Sequence, residues 1–317
     1  MRILRYGIAL LLLLALVETT LRVIWGFGNP VLYATSKEYE YIYASNQQVT
    51  RFGNTIRTNS FGMRSPEPAS DDSIRVLYIG DSVINGGTQT DQDHLSSNLL
   101  AESLSKLLHK KVNVLNISAG SWGPDNAAAF LKKHGTFNAN AMILVFSSHD
   151  AFDNMNFEEV VDNNVHYPGH KPVSAISEVI LRYFIPYARS IFDSSGNGSD
   201  KLMINNQRQV FNSGWSDLLA IAASDSIPVY AVLHAEQAEI IKGEHNRYGR
   251  MILDTLKANR IPYSTDIALG ISSNCYRDFI HLNDKGQFFL ADKLTGITSQ
   301  LLRANASDTL VSRNLSH

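Results

Sequence analysis

Cysteine is nearly missing from this 317-residue chain. Cys275 stands alone, so neither an intrachain disulfide nor a thiolate metal cluster can form. A basic surplus is missing too: 28 Lys and Arg face 30 Asp and Glu, for a net charge of −2. With no positive field to displace counterions from phosphates, a nucleic-acid partner is excluded. No internal repeat is present. No lysine occurs between Arg75 and Lys106 and no G-x-G-x-x-G follows the first strong strand, so the glycine-rich turn there is not a nucleotide phosphate loop. What is there is a chain 44% apolar, long enough for one large or two small domains.

The N-terminus carries the first positive signal. Arg2 and Arg5 precede an apolar run from Gly7 to Val17, and the stretch from Tyr6 to Trp25 is interrupted only by Glu18, Thr19, Thr20 and Arg22. As a helix it reaches about 30 Å, the thickness of a hydrocarbon core. Glu18 and Arg22 fall four apart on one face, where they can pair. No small-x-small cleavage site follows closely, so the sequence predicts an uncleaved anchor over residues 1–26. The two arginines keep its start in the cytoplasm and send the rest across the membrane.

Residues 27–72, rich in Tyr, Asn, Ser and Pro, carry turn signals rather than periodicity and are expected to form a juxtamembrane segment. From Ile74 onward, short apolar runs alternate with amphipathic ones. The runs IRVLYIG, KVNVLNIS, AMILVFSS, IPVYAVLH and IPYSTDI read as strands, separated by helices over 93–110, 124–134, 210–223 and 248–258. A last helix spans 283–303, and the polar tail 304–317 is expected to be loose. Loops are expected around NNVHYPGHKP and DSSGNGSD. Five strands alternating with helices predict an α/β fold with a parallel sheet covered on both faces, over residues 73–303.

Ligands of such sheets bind beyond the carboxyl ends of the strands. Those ends gather Gly80-Asp81-Ser82, the stretch SAGSWG, Ser148-His149-Asp150, His234 and NCYRDFIHLND. A serine where a buried strand stops suits a nucleophile, which needs a base and an orienting acid. Asp-x-x-His occurs at Asp91/His94 and at Asp278/His281. The first opens a helix, where Asp91 or Asp93 serves as an N-cap. The second lies on the rim, where a three-residue offset lets Asp278 reach Nδ1 of His281 and leaves Nε2 for Ser82.

In YIGDSVINGG and DFIHLNDKGQ the chain resembles the SGNH (GDSL) hydrolases, metal-independent esterases and acyl transferases on a flavodoxin-like sheet. The resemblance spans residues 55 to 300, with the middle third matching in outline only. It implies a three-layer α/β/α sandwich with a five-stranded parallel sheet, a Ser82–His281–Asp278 triad and no cofactor or metal. NISAGSWGPDN matches the family's second block, which implies an oxyanion-hole N–H at Gly120, or one residue on at Ser121, beside that of Ser82. RTNSFGMRSPE resembles a lead-in of membrane-anchored or exported members. The third block departs: where the family has Gly-x-Asn-Asp this chain has SSHD, so Ser147 replaces the glycine and His149 the oxyanion-donating asparagine. A histidine donates only from the nitrogen that carries the proton.

Trp122 and His234 are candidate substrate contacts, each weighed against a packing role, while His166 and His170 have no metal-site spacing. The resemblance implies a serine esterase or O-acyltransferase anchored in the inner or plasma membrane. It would act in the periplasm or another extracytoplasmic space on acetyl esters of cell-surface polysaccharide, beside export or acetylation machinery. The alternative is a non-catalytic polysaccharide-binding or assembly subunit whose oxyanion hole is impaired.

Overall fold

A computed structural model describes residues 2–68, 73–192 and 210–314 of the chain. Helix α1 (Arg2–Trp25) has no buried side chain. Its C-terminal end leads into two small antiparallel hairpins, β1 (Tyr33–Ser36) with β2 (Glu40–Tyr43), and β3 (Gln48–Arg51) with β4 (Asn54–Arg57). Arg51 pairs with Asn54, so the second hairpin turns on Phe52 and Gly53 alone. Both have positive φ (51° and 83°), the mirror-image turn that matches the twist of a tight hairpin. The first hairpin belongs to the core: Tyr39, Tyr41, Ile42 and, further on, Met63 are buried in one cluster with Trp122 and Phe130 of the α/β layer. The second hairpin buries Val49 and Ile56 in a small cluster with Val31 and Tyr43. Part of the segment expected to be juxtamembrane thus packs against the α/β layer.

The parallel sheet comprises β5 (Ile74–Gly80), β6 (Val112–Ser118), β7 (Ala141–Ser147), β8 (Val229–His234) and β9 (Tyr263–Thr265), in the spatial order β6-β5-β7-β8-β9. Counting these strands alone, the order is 2-1-3-4-5, the flavodoxin-like arrangement. Alternate residues feed two core layers. Leu77, Ile79, Met142 and Leu144 face α4 (Pro124–His134), α7 (Gly214–Ser224) and α9 (Arg247–Ala258). Val76, Tyr78, Ile143 and Val145 face α3 (Ser96–Leu108) and α11 (Asp284–Asn314). The three-layer sandwich follows from this two-sided burial.

α11 continues to Asn314, beyond the end expected near residue 303. The irregular middle contains α5 (Ala175–Val179), a π-turn over Ile180–Phe184 and α6 (Ile185–Phe192), which together make one run of helix. Pro186 has no N–H to give and crowds the carbonyl four residues back, a local reason for a widened turn just before it. The loop expected over 193–200 lies outside the described residues.

Candidate active site

Gly80 ends β5 level with Ser118 of β6 and Val145 of β7. A Cβ on Gly80 would lie 2.2 Å from the Val145 carbonyl oxygen, so only glycine lets the strands close up here. Asp81 caps the next turn, its Oδ1 accepting the Val83 N–H at 2.8 Å. Ser82 opens the short helix α2 (Ser82–Asn85), which Gly86 ends in the left-handed conformation. As the first helical residue, Ser82 keeps an N–H with no carbonyl four residues back to receive it.

His281 and Asp278 come from the loop before α11. The Ser82 hydroxyl oxygen lies 2.9 Å from His281 Nε2, and His281 Nδ1 lies 2.8 Å from Asp278 Oδ2. Asp278 Oδ1 also accepts the backbone N–H groups of Ile280 (3.0 Å) and His281 (2.7 Å), so the loop folds around its own carboxylate. Burial acts to raise the Asp278 pKa, but those N–H groups and the imidazole outweigh it and hold the carboxyl below its ordinary value. The other Asp-x-x-His pair is far less engaged with the rim: Asp91 caps a 3₁₀ turn and His94 pairs with Asp284 at the surface.

His149 follows β7, and its Nε2 lies 3.7 Å from Asp81 Oδ2 and 3.5 Å from Asp150 Oδ1. Burial holds its pKa below the ordinary value despite Asp81, with His234 and His281 pushing the same way as burial, so the ring is neutral. Asp150 is fully buried and its pKa is raised well above the usual carboxylate range, by burial first and then by Asp81. Asp153 is pushed up to about 7 by burial and by Asp125, Asp81 and Glu40. Asp81, His149 and Asp150 offer three metal-ligating atoms within 4.8 Å of one another. Ser147, in place of glycine, sends its hydroxyl to Asp81 Oδ2 at 3.4 Å.

Gly120 and Ser121 form the turn after β6, with Ser121 at φ 57°. The Gly120 carbonyl accepts the Tyr41 hydroxyl at 2.9 Å, and the Ser121 hydroxyl accepts that of Tyr167 at 3.3 Å. Two sequence expectations need correction. Trp122 is 0% exposed and gives its indole N–H to the Tyr41 carbonyl at 2.8 Å, so it is a core residue rather than a substrate platform. His234 is likewise 0% exposed, between Asp266 and the Ile280 carbonyl, and stacks on Tyr276.

Several supporting residues escaped the sequence reading. Arg64 is buried and donates to the carbonyls of Asn85 (2.8 Å), Gly87 (2.7 Å) and Thr90 (3.1 Å), fixing the loop behind Ser82. Burial lowers its pKa to about 10, which leaves it charged at neutral pH. Asn85 accepts the Tyr43 hydroxyl at 3.0 Å and donates to the Ser118 carbonyl at 3.0 Å, tying β2, α2 and β6 together. Arg64 lies in the RTNSFGMRSPE stretch, the one signal that could have marked it.

In strand order, in the GDS turn and in the Asp-x-x-His loop, this chain resembles the SGNH (GDSL) hydrolases. Comparison with solved structures finds proteins of that kind at low identity. A lipase/acylhydrolase from Enterococcus faecalis is 10% identical over 72% of this chain and 96% of its own, with a TM-score of 0.44. A member of the lipolytic G-D-S-L family from Veillonella parvula is 10% identical over 70% and 96%, with a TM-score of 0.36. A two-domain esterase active on acetylated mannans is 11% identical over 74% of this chain and 49% of its own, with a TM-score of 0.39. No family model and no curated protein matches the sequence.

Proposed function

We propose that the chain is a membrane-anchored serine esterase or O-acyltransferase with Ser82 as nucleophile. The observation that carries this reading is the unbroken run of hydrogen bonds from Asp278 through His281 to the Ser82 hydroxyl. With Nδ1–H given to Asp278, the neutral imidazole keeps its Nε2 lone pair for the serine proton. Ser82 Oγ attacks the ester carbonyl as its proton passes to Nε2. The tetrahedral oxyanion is met by the backbone N–H groups of Ser82 and Gly120. Collapse expels the alcohol, which takes the proton back from Nε2 and leaves an acyl-serine. Water, or a sugar hydroxyl, then gives its proton to His281 and attacks that acyl group. The products are a free acid or a transferred ester, and Ser82 is restored.

His149 supplies the third oxyanion donor in this proposal. Its Nε2 side faces Asp81 Oδ2 at 3.7 Å and Asp150 Oδ1 at 3.5 Å, and donation requires a hydrogen on whichever nitrogen meets the oxyanion. α1 is long and apolar enough to cross a membrane, and the flanking Arg2 and Arg5 favour a cytoplasmic start, which puts the site on the opposite side. Acetylated surface polysaccharide is the substrate class this location favours. The test is hydrolysis of p-nitrophenyl acetate and acetylated oligosaccharides by the full chain in detergent. Activity lost in Ser82→Ala with unchanged thermal unfolding supports the enzyme. Hydrolysis equal in the two proteins sinks it, and binding of the oligosaccharide without turnover favours a carbohydrate-binding assembly subunit.

A further inference from the structure

The apolar character of α1 changes along its length. From Ile3 to Val17 only Arg5 interrupts it, over about 22 Å of helix, whereas from Glu18 to Trp25 polar and apolar residues are mixed. Where the run ends, Glu18 accepts the N–H groups of Ala175 at 2.9 Å and Ile176 at 3.0 Å. The helical run 175–192 thus starts beside the point where α1 turns polar, with its N-terminal dipole and free donors satisfied by a carboxylate of α1.

The inner side of this run is fastened to the body. Glu178, buried, pairs with Arg51 at 2.8 Å and Arg182 at 3.1 Å, and it accepts the Gly28 N–H. The Phe27 ring meets Tyr183 edge to face at 5.5 Å. Its outer side is apolar: Ile180 is 43% exposed, Leu181 55% and Phe184 63%, with Val173 at 98% just before the helix. Among the described residues outside α1, fifteen large hydrophobics are exposed, and six of them fall between 173 and 187. Such concentration marks an interaction surface rather than scattered exposure. Arg182 turns inward to Glu178, and the exposed Arg189 lies beyond the apolar stretch, in the last turn of the run. Trp25 (41%) and Phe52 (40%) extend the apolar collar to the end of α1. Aromatic rings at this height suit the boundary between acyl chains and headgroups.

We propose that residues 173–187 form a membrane foot, an amphipathic helix lying in the far interface of the bilayer that α1 crosses. Its Ile180, Leu181 and Phe184 face reaches the acyl chains. The foot adds apolar surface beside the mixed polar end of α1, and the Glu178–Arg51 pair ties it to the body. The inference rests on α1 remaining in place as an anchor.

The test uses the full chain in nanodiscs of phosphatidylethanolamine and phosphatidylglycerol. Spin labels are placed singly by Leu12→Cys in α1, Phe184→Cys on the foot and Phe288→Cys on α11, where Phe288 is 63% exposed. The unsubstituted chain, whose Cys275 is buried, is the blank. The foot predicts that oxygen relaxes labels 12 and 184 several-fold more strongly than a water-soluble nickel complex does, with the reverse at 288. A label at 184 that behaves like 288, while 12 is in lipid, overturns the foot alone. A label at 184 shielded from both reagents means a protein covers the face, and overturns it as well. A label at 12 in water removes the anchor reading and the foot with it.

Discussion

Two of the chain's histidine–aspartate pairs meet at the loop before α11, one at the surface and one beneath it, and their second ring nitrogens face opposite kinds of partner. His281 and Asp278 sit at the surface, with side chains 20% and 41% exposed. His234 and Asp266 lie beneath, at 0% and 1%. His281 meets a hydroxyl, which can donate, so its second nitrogen can stay unprotonated. His234 meets the Ile280 carbonyl at 2.7 Å, which can only accept, so its second nitrogen must carry hydrogen. Burial pulls the His234 pKa down, but Asp266 and the Ile280 carbonyl outweigh it, and the value is raised. The acceptor at the second nitrogen, more than the aspartate, separates a ring with a lone pair free for a proton from one whose second nitrogen is already occupied. His234 also grips the backbone one residue before His281.

The largest break in this comparison comes from His281→Ala. It is expected to lower kcat on the order of 10⁶-fold with little change in unfolding temperature, and adding Ser82→Ala should cost almost nothing more, because the two act as a unit. Steady-state kinetics beside calorimetry check it. His234→Ala reverses the signature: leaving Asp266 buried without its partner should cost about 3–5 kcal/mol of stability, read from denaturant unfolding. A stability loss from His281→Ala comparable to that of His234→Ala would erase the distinction.

His149 gives a smaller effect. His149→Ala should lower kcat by roughly 10²-fold with KM little changed, since the donor is used mainly in the transition state. His149→Asn, which keeps an N–H donor, should retain much of the activity. Equal and near-wild-type kcat in both variants removes the donor role.

The same alternation that made the sheet legible also hid part of the site. Apolar runs placed β5 and β6 closely and ended β7 within one residue of its true limit, and the GDS turn with the Asp-x-x-His loop placed Ser82, Asp278 and His281 within hydrogen-bonding reach. A strand's end, however, does not tell which way its last side chain points. His234 pairs with Ser147 in register yet turns toward Asp266 inside the fold. Trp122 follows β6 at the rim of the sheet, but the hairpin over 33–43 roofs it over. The strands of both hairpins have four residues, too short for periodicity to register. Arg64 lies in a quoted stretch, yet its role does not show in the sequence, since its closest partners are backbone carbonyls that no spacing announces.

The smallest effect sharpens the comparison through pH. Because the folded pKa of His234 is raised, its contribution is fully present below about pH 6.5, the unfolded value, and is lost as pH rises through the folded value. Asp278, lowered, contributes above about pH 3.9 and loses that contribution as pH falls through its folded value. Asp153, raised to about 7, and Asp150, raised well above its usual range, add declines of the same sign as pH rises toward their folded values. Unfolding temperature measured against pH should therefore fall on the alkaline side in wild type. That limb should become shallower in His234→Gln and stay unchanged in His281→Gln.

Whether His281 activates Ser82 is read from labelling by a fluorophosphonate with peptide mapping. Rapid phosphonylation of the Ser82 peptide is expected in the full chain, abolished in Ser82→Ala and slowed by orders of magnitude in His281→Ala. No label at Ser82, or one that forms equally fast without His281, would contradict that activation.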